Sequence, residues 1–271
     1  MRRAGLVVAD ALAAVRAAAR PGTTTADLDA VAAAVIAEAG AEPSFLGYHG
    51  FPASICTSVN EEVVHGIPGR RVLAAGDLVS VDCGATVEGW HGDSALSFLL
   101  GESGAVDVDD PSGGGDVAGQ GLVRATRTAM WAGIAALAEG RRVGDVGVAV
   151  EASVELSAEL LGTGYGLVEE YTGHGIGTAM HQPPDVLNFA ASDRGPRLRP
   201  GMCLAVEPMV TLGGAGTRVL EDDWTVVTTD GSRAAHWEHT VAVLDGGVAV
   251  LTAADLGASG LEPFGVGPVP L

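Results

Sequence analysis

Five residues stand out by type and by setting: Asp82 in "VSVDCG", Asp93 in "WHGDSA", His174 in "TGHGIG", Glu207 in "LAVEPMV" and Glu238 in "HWEHTVAV". A lone carboxylate is ordinarily a solvated surface group or a helix cap. Four carboxylates inside apolar strand contexts cannot all be so, because burying one costs several kcal/mol unless a cation pairs with it. Gathered near one point they would repel strongly unless two divalent ions, carrying four positive charges, sat among them. Carboxylate oxygens with one imidazole suit a hydrolytic two-metal site better than a structural thiolate site.

The elements that must position these residues fall into two similar sets. Apolar residues at three- and four-residue steps predict a helical hairpin over about 3–20 and 24–40, in which Thr24 and Asp27 read as a capping box. A second hairpin is predicted over about 118–139 and 144–163. After each hairpin come β-branched, glycine-punctuated segments that read as strands: 54–59, 77–83, 203–210, 224–229 and 239–244. "GDLVSVD" (76–82) and "GMCLAVE" (201–207) each run from a glycine through an apolar strand to a carboxylate. Hairpin and strand recurring in the same order point to duplication. Halves packed about a pseudo-twofold axis would bring Asp82 and Glu207 together at the centre. Between the halves, 101–121 is acidic and glycine-rich and reads as a surface loop.

Composition removes several alternatives. The 271 residues carry 34 acids against 15 bases, a net charge of -19, which argues against binding a phosphate backbone. All fifteen bases are arginine, so lysine Schiff-base, pyridoxal phosphate and P-loop chemistry are excluded. Three cysteines, with no Cys-x-x-Cys pair, offer neither a disulfide framework nor a zinc knuckle. No apolar run is long enough to span a membrane. The opening "MRRAGLVVADALAAVRAAAR" reads as an amphipathic helix rather than a signal peptide, since Asp10 and Arg16 interrupt it at helical spacing. The chain is expected in the cytoplasm.

With these residues in place, the chain resembles the type I methionine aminopeptidases from about residue 2 to 252. The resemblance is carried by "SFLGYHGFPASICTSVNEEVVHGIP" (44–68), "GDLVSVDCGATVEGWHGDSA", "GHGIGTAMHQPPDVLN" (173–188), "GMCLAVEPMV" and "WEHTVAV". The spacings also match: eleven residues from Asp82 to Asp93, seven from His174 to His181 and thirty-one from Glu207 to Glu238. It implies an α+β pita-bread fold, with duplicated halves around a central antiparallel sheet covered by helices. It implies a single metallopeptidase domain over 1–271.

The resemblance further implies that Asp82, Asp93, His174, Glu207 and Glu238 hold two divalent ions, whether cobalt, manganese, iron or zinc. Asp93 and Glu238 would bridge the pair, His174 and Glu207 would bind one ion and Asp82 the other. Glu207 would also shuttle a proton, and His65 and His181 would contact substrate. Tyr48, Phe51, Cys56 and Trp224 would line a methionine pocket, which composition alone would place in the core. Phe45 stands where some members have cysteine, and Met180 where some have phenylalanine. His49, His91, His236 and His239 have a weaker claim and are left outside the chemistry.

The implied activity is removal of the initiator methionine before a small second residue, by a hydroxide activated between the metals. One metal would hold the free α-amine, so only an unblocked N-terminus would serve. The implied partners are peptide and nascent-chain N-termini, with transient ribosome association, no nucleic acid, no membrane and a monomeric chain. A proline-specific aminopeptidase or dipeptidase of the same fold is the nearest rival; those enzymes usually carry an additional N-terminal domain. A non-catalytic binding protein of this fold would have lost ligands that are intact here.

Overall fold

The computed structural model describes residues 1–107, 109 and 116–271; residues 108 and 110–115 of the expected loop lie outside the described residues. Four long helices form two hairpins: α1 (Arg2–Ala18) with α2 (Thr25–Glu38), and α3 (Val117–Glu139) with α4 (Asp145–Leu161). Helix α1 buries Ala4, Val8, Ala11, Leu12 and Val15, the stripe its spacing predicted. The Thr24–Asp27 capping box opens α2 with both reciprocal hydrogen bonds present. Helix α3 starts at Val117, capped by the Asp116 side chain, so the expected loop ends earlier than 121. Where α3 meets α4, a Cβ at Gly133 would lie 2.9 Å from Val150 Cγ2, so glycine there permits the close approach.

The first half holds strands β1 (Glu42–Pro43), β2 (Ile55–Val59), β3 (Glu62–Val64), β4 (Leu78–Val87), β5 (Trp90–Gly101) and β6 (Gly104–Ala105). The second holds β7 (Gly166–Leu167), β8 (Gly173–Gly175), β9 (Gln182–Val186), β10 (Cys203–Val206), β11 (Met209–Thr211) and β12 (Thr217–Val219). It continues through β13 (Val226–Thr228), β14 (Ala234–His236), β15 (Glu238–Leu244) and β16 (Gly247–Val250). The main sheet runs β1-β4-β5-β15-β10-β8-β9, with β2, β6 and β16 pairing at its sides. Hairpin β4-β5 of the first half meets β15-β10 of the second at its middle, which realises the expected duplication.

Each half has its own core under its own hairpin. Val8, Leu12, Leu28 and Ile36 pack against Val79, Val81 and Phe98. Leu122, Met130 and Ile134 pack against Leu204, Val206 and Val241. Each such fully buried side chain stabilises the fold by about 1.5–3 kcal/mol, before the entropy of ordering is counted. Helices therefore cover one face of the sheet, and the other is left for the carboxylates.

Two expectations are corrected. The predicted strand 203–210 is broken at Glu207-Pro208: β10 belongs to the main sheet and β11 to a separate sheet with β7 and β14. Proline has no N–H to donate to a ladder, so a strand bends or ends there. The pairing segment breaks opposite, at Trp237, between β14 and β15; Val206 pairs with His239 and Met209 with His236. Glu207 thus sits on a corner where two strands change sheets together. The second correction is β5, which the sequence reading did not mark as a strand. Its Ser97 is buried and bonds Ser80 across the ladder at 2.7 Å, a polar pair that hides the apolar alternation.

Candidate metal centre and substrate pocket

Strand register gathers the carboxylates. Cys56 pairs with Asp82, Asp82 with Ala95, and Ala95 with Glu238, giving one row across β2, β4, β5 and β15. The two-residue period of a strand puts Asp93 on the same face as Ala95. Ala95, with its single methyl, keeps open the space between Asp82 and Glu238. At the seam between halves, Thr240 Oγ1 accepts from Asp93 N and donates to Asp93 O, and Ser94 Oγ donates to Glu238 O. These hydroxyls fix the main chain at both carboxylates.

His174 arrives from β8, in a bulged stretch where its register with β9 shifts. Glycines flank it for a steric reason. A Cβ at Gly173 would run into the Ala205 carbonyl, and one at Gly175 into the Pro183 carbonyl. His174 Nδ1 lies 3.0 Å from the Gly175 carbonyl, an acceptor, so Nδ1 carries the proton and Nε2 presents its lone pair. That lone pair faces Glu207 Oε1 at 3.4 Å and Asp93 Oδ2 at 3.9 Å. Three acceptors facing one another repel unless a cation lies among them.

The electrostatics agree. Asp93 is 3% exposed, Glu238 2% and His174 7%, and a ligand atom from each lies within 4.8 Å of the others. Asp82 Oδ1, Asp93 Oδ1 and Glu238 Oε1 are buried without a hydrogen-bond partner. Burial, reinforced by the neighbouring carboxylates, pushes Asp93 and Glu238 far above the usual range. Burial likewise raises Asp82 to about 7, with Glu207 adding and His236 opposing, and raises Glu207 to about 7 against the pull of His174. Like charges 4 Å apart cost on the order of 4 kcal/mol at an effective dielectric of 20. Several such pairs would consume a typical total stability of about 5–15 kcal/mol. The donor set, oxygen-rich with one lone-pair nitrogen, fits hard or borderline divalent cations.

Every residue singled out from the sequence lines one cavity of about 130 Å³, joined by Phe45 and Met180. Phe51 and Trp224 meet edge to face at 5.0 Å, with Cys56 buried beside them. Phe45 packs where a Cβ at Gly84, the cross-strand partner of Asp93, would otherwise stand. His65 projects from a left-handed backbone (φ 60°), an uncommon conformation for a residue with a side chain. Gly66, against the Thr57 carbonyl, holds the turn. Burial lowers the His65 imidazole to about 4, and it lowers His181 too, so both rings are neutral at neutral pH. His181 Nδ1 lies 2.7 Å from the Tyr48 hydroxyl, and its ring centroid is 4.2 Å from that of His174. A larger cavity of about 590 Å³ lies behind the sheet, lined by Arg16, Arg20, Trp237 and His239; it holds none of these groups.

The sequence model of metallopeptidase family M24 matches residues 1–245. The chain belongs to metallopeptidase family M24. Within the family, the methionine aminopeptidase 1 of Mycobacterium tuberculosis is 53% identical over 253 residues, covering 93% of this chain and 91% of that protein. The crystal structure of a methionine aminopeptidase from Thermotoga maritima superimposes with a TM-score of 0.82 at 39% identity, over 93% of this chain and 94% of that one. This places the chain among the type I methionine aminopeptidases of the family, with their pita-bread fold. A Pyrococcus furiosus prolidase gives a TM-score of 0.67 at 17% identity, over 93% of this chain and 62% of that one, a likeness of fold alone.

The M24 resemblance left some contributors unnamed. Asn188, fully buried, donates to the Glu207 carbonyl at 3.1 Å and so fixes the corner. His236, set aside in the sequence, is 2% exposed with Nε2 at 3.7 Å from Glu207 Oε2. Asn188 closes the quoted 173–188 stretch but was given no role there, and the signal for His236 was its closeness in sequence to Glu238.

Proposed function

We propose that the whole chain works as one metallopeptidase domain that removes N-terminal methionine from peptides and nascent proteins when the second residue is small. The observation that carries this reading is the His174 lone pair facing Glu207 and Asp93, beside three orphaned carboxylate oxygens and a narrow apolar pocket. Asp82, Asp93, His174, Glu207 and Glu238 would together hold two divalent ions. Bound there, divalent ions supply a water far more acidic than bulk water and polarise a carbonyl.

The chain's own groups do the rest. Glu207 takes the proton of the attacking water and passes it to the leaving amine. The Tyr48 hydroxyl donates to His181 Nδ1, which leaves Nε2–H to donate to the developing oxyanion. His65 hydrogen-bonds the substrate near the leaving nitrogen. Phe51, Cys56 and Trp224, with Phe45 and Met180, enclose the thioether. Burying that side chain contributes about 1.5–3 kcal/mol, and a flexible, polarizable chain suits such a slot. Among the described residues no helix is long and apolar enough to cross a membrane. A cytoplasmic monomer meeting nascent chains, transiently at the ribosome, belongs to the same proposal.

The reading predicts that Met-Ala-Ser is cut after methionine, whereas the N-formylated peptide is not, because its amine is blocked. Met-Lys peptides should be poor substrates for want of space. Chromatography of the products decides this. Cleavage of X-Pro peptides with Met-Ala-Ser left intact would replace the proposal with a proline-specific peptidase.

A further inference from the structure

His236 closes β14 directly beneath the corner that carries Glu207. Its main chain is clamped. The backbone N donates to Ser97 Oγ at 2.9 Å, Ser97 Oγ donates back to the His236 carbonyl at 2.8 Å, and Ser97 is held by Ser80. The imidazole therefore has little freedom to move away. Its Nε2 is buried without a hydrogen-bond partner and stands 3.7 Å from Glu207 Oε2. The other oxygen of the same carboxylate, Oε1, is the one 3.4 Å from His174 Nε2. Glu207 thus lies between two imidazoles, one facing each oxygen. With the ring proton on Nε2, an orphaned buried donor would cost about 1–3 kcal/mol, which a closure of under one ångström would recover.

We propose that His236 is a positioning residue for Glu207: its Nε2–H donates to Oε2 and holds the carboxylate plane so that Oε1 is presented beside His174. This rests on the reading of Glu207 as a metal-holding proton carrier, and it goes beyond it by naming what orients that group. Partners that hydrogen-bond a metal's own ligands typically contribute 10- to 100-fold in metal affinity or activity. His236 does not line the substrate cavity, so its effect should appear in metal affinity and turnover and spare KM.

A nearly isosteric pair separates the hydrogen bond from the space it fills. His236→Gln keeps an N–H at the reach of Nε2, and His236→Met removes it. Manganese titrated calorimetrically into chelated protein, together with kcat and KM on Met-Ala-Ser, reads the result. His236→Met should bind manganese about 10- to 100-fold more weakly, with kcat reduced and KM little changed, and His236→Gln should recover both. If the methionine variant does not melt cooperatively, His236→Phe takes its place. A donor-free variant with unchanged manganese affinity, or a folded glutamine variant as impaired as the methionine one, would overturn the proposal. Glu207→Gln keeps the two readings apart. If wild type takes up no metal, or Glu207→Gln retains it all, the site reading has failed; if only the His236 variants are silent, this inference alone falls.

Discussion

Asp93→Asn should bring hydrolysis of Met-Ala-Ser to background and yet raise the thermal stability of the metal-free protein. The two effects share one cause. Asp93 is 3% exposed, one of its oxygens has no hydrogen-bond partner, and the other faces the His174 lone pair at 3.9 Å. With a cation present the carboxylate would be a ligand; without one it is a buried charge among like charges, pushed toward protonation by burial and by Asp82 and Glu207. Asparagine keeps the shape and removes the charge. In chelated protein at pH 8 it should melt higher than wild type, at about 2–4 °C per kcal/mol for a chain near this size. On adding metal the order should reverse, because ligand binding stabilises only the protein that holds it. Differential scanning fluorimetry with and without chelator measures both. A variant that keeps near-normal turnover, or that melts lower than wild type in chelator, would remove Asp93 from the proposed centre.

His181→Ala should lower kcat by about 10²–10³, the cost of one lost oxyanion donor, and leave metal content unchanged. The imidazole is well prepared for the role. Tyr48 fixes Nδ1 at 2.7 Å, burial keeps the ring neutral, and the ring lies against His174 without sharing its three-residue cluster. Tyr48→Phe should reduce kcat in the same direction by less, since the donor would remain but be less well aimed. Metal content by elemental analysis separates the roles. A variant that loses a metal equivalent would show His181 to be a ligand rather than a donor to substrate.

Much of this architecture was legible because local chemistry agreed with global need. The capping box at Thr24 and the apolar stripe of α1 predict helices that exist, and the echo of "GDLVSVD" with "GMCLAVE" marks strands β4 and β10. The carboxylates betrayed themselves by sitting where charge is costly. What stayed hidden depends on partners distant in sequence. Strand β5 reads as mixed polar because Asp93, Ser94 and Ser97 are satisfied only by groups on β4, β14 and β15, or by a cation. Pro208 was available as a signal against the single strand predicted over 203–210, but that the break coincides with one at Trp237 is a property of pairing. His236 looked like a spare histidine for the same reason: its meaning comes from Glu207, twenty-nine positions away.

The most direct test of the central claim is a metal titration of the chelated protein followed by calorimetry and by Met-Ala-Ser hydrolysis in the same samples. Chelated protein should show no turnover, binding should saturate at two divalent ions per chain, and activity should return as they bind. Full turnover by protein shown to contain no metal would contradict it.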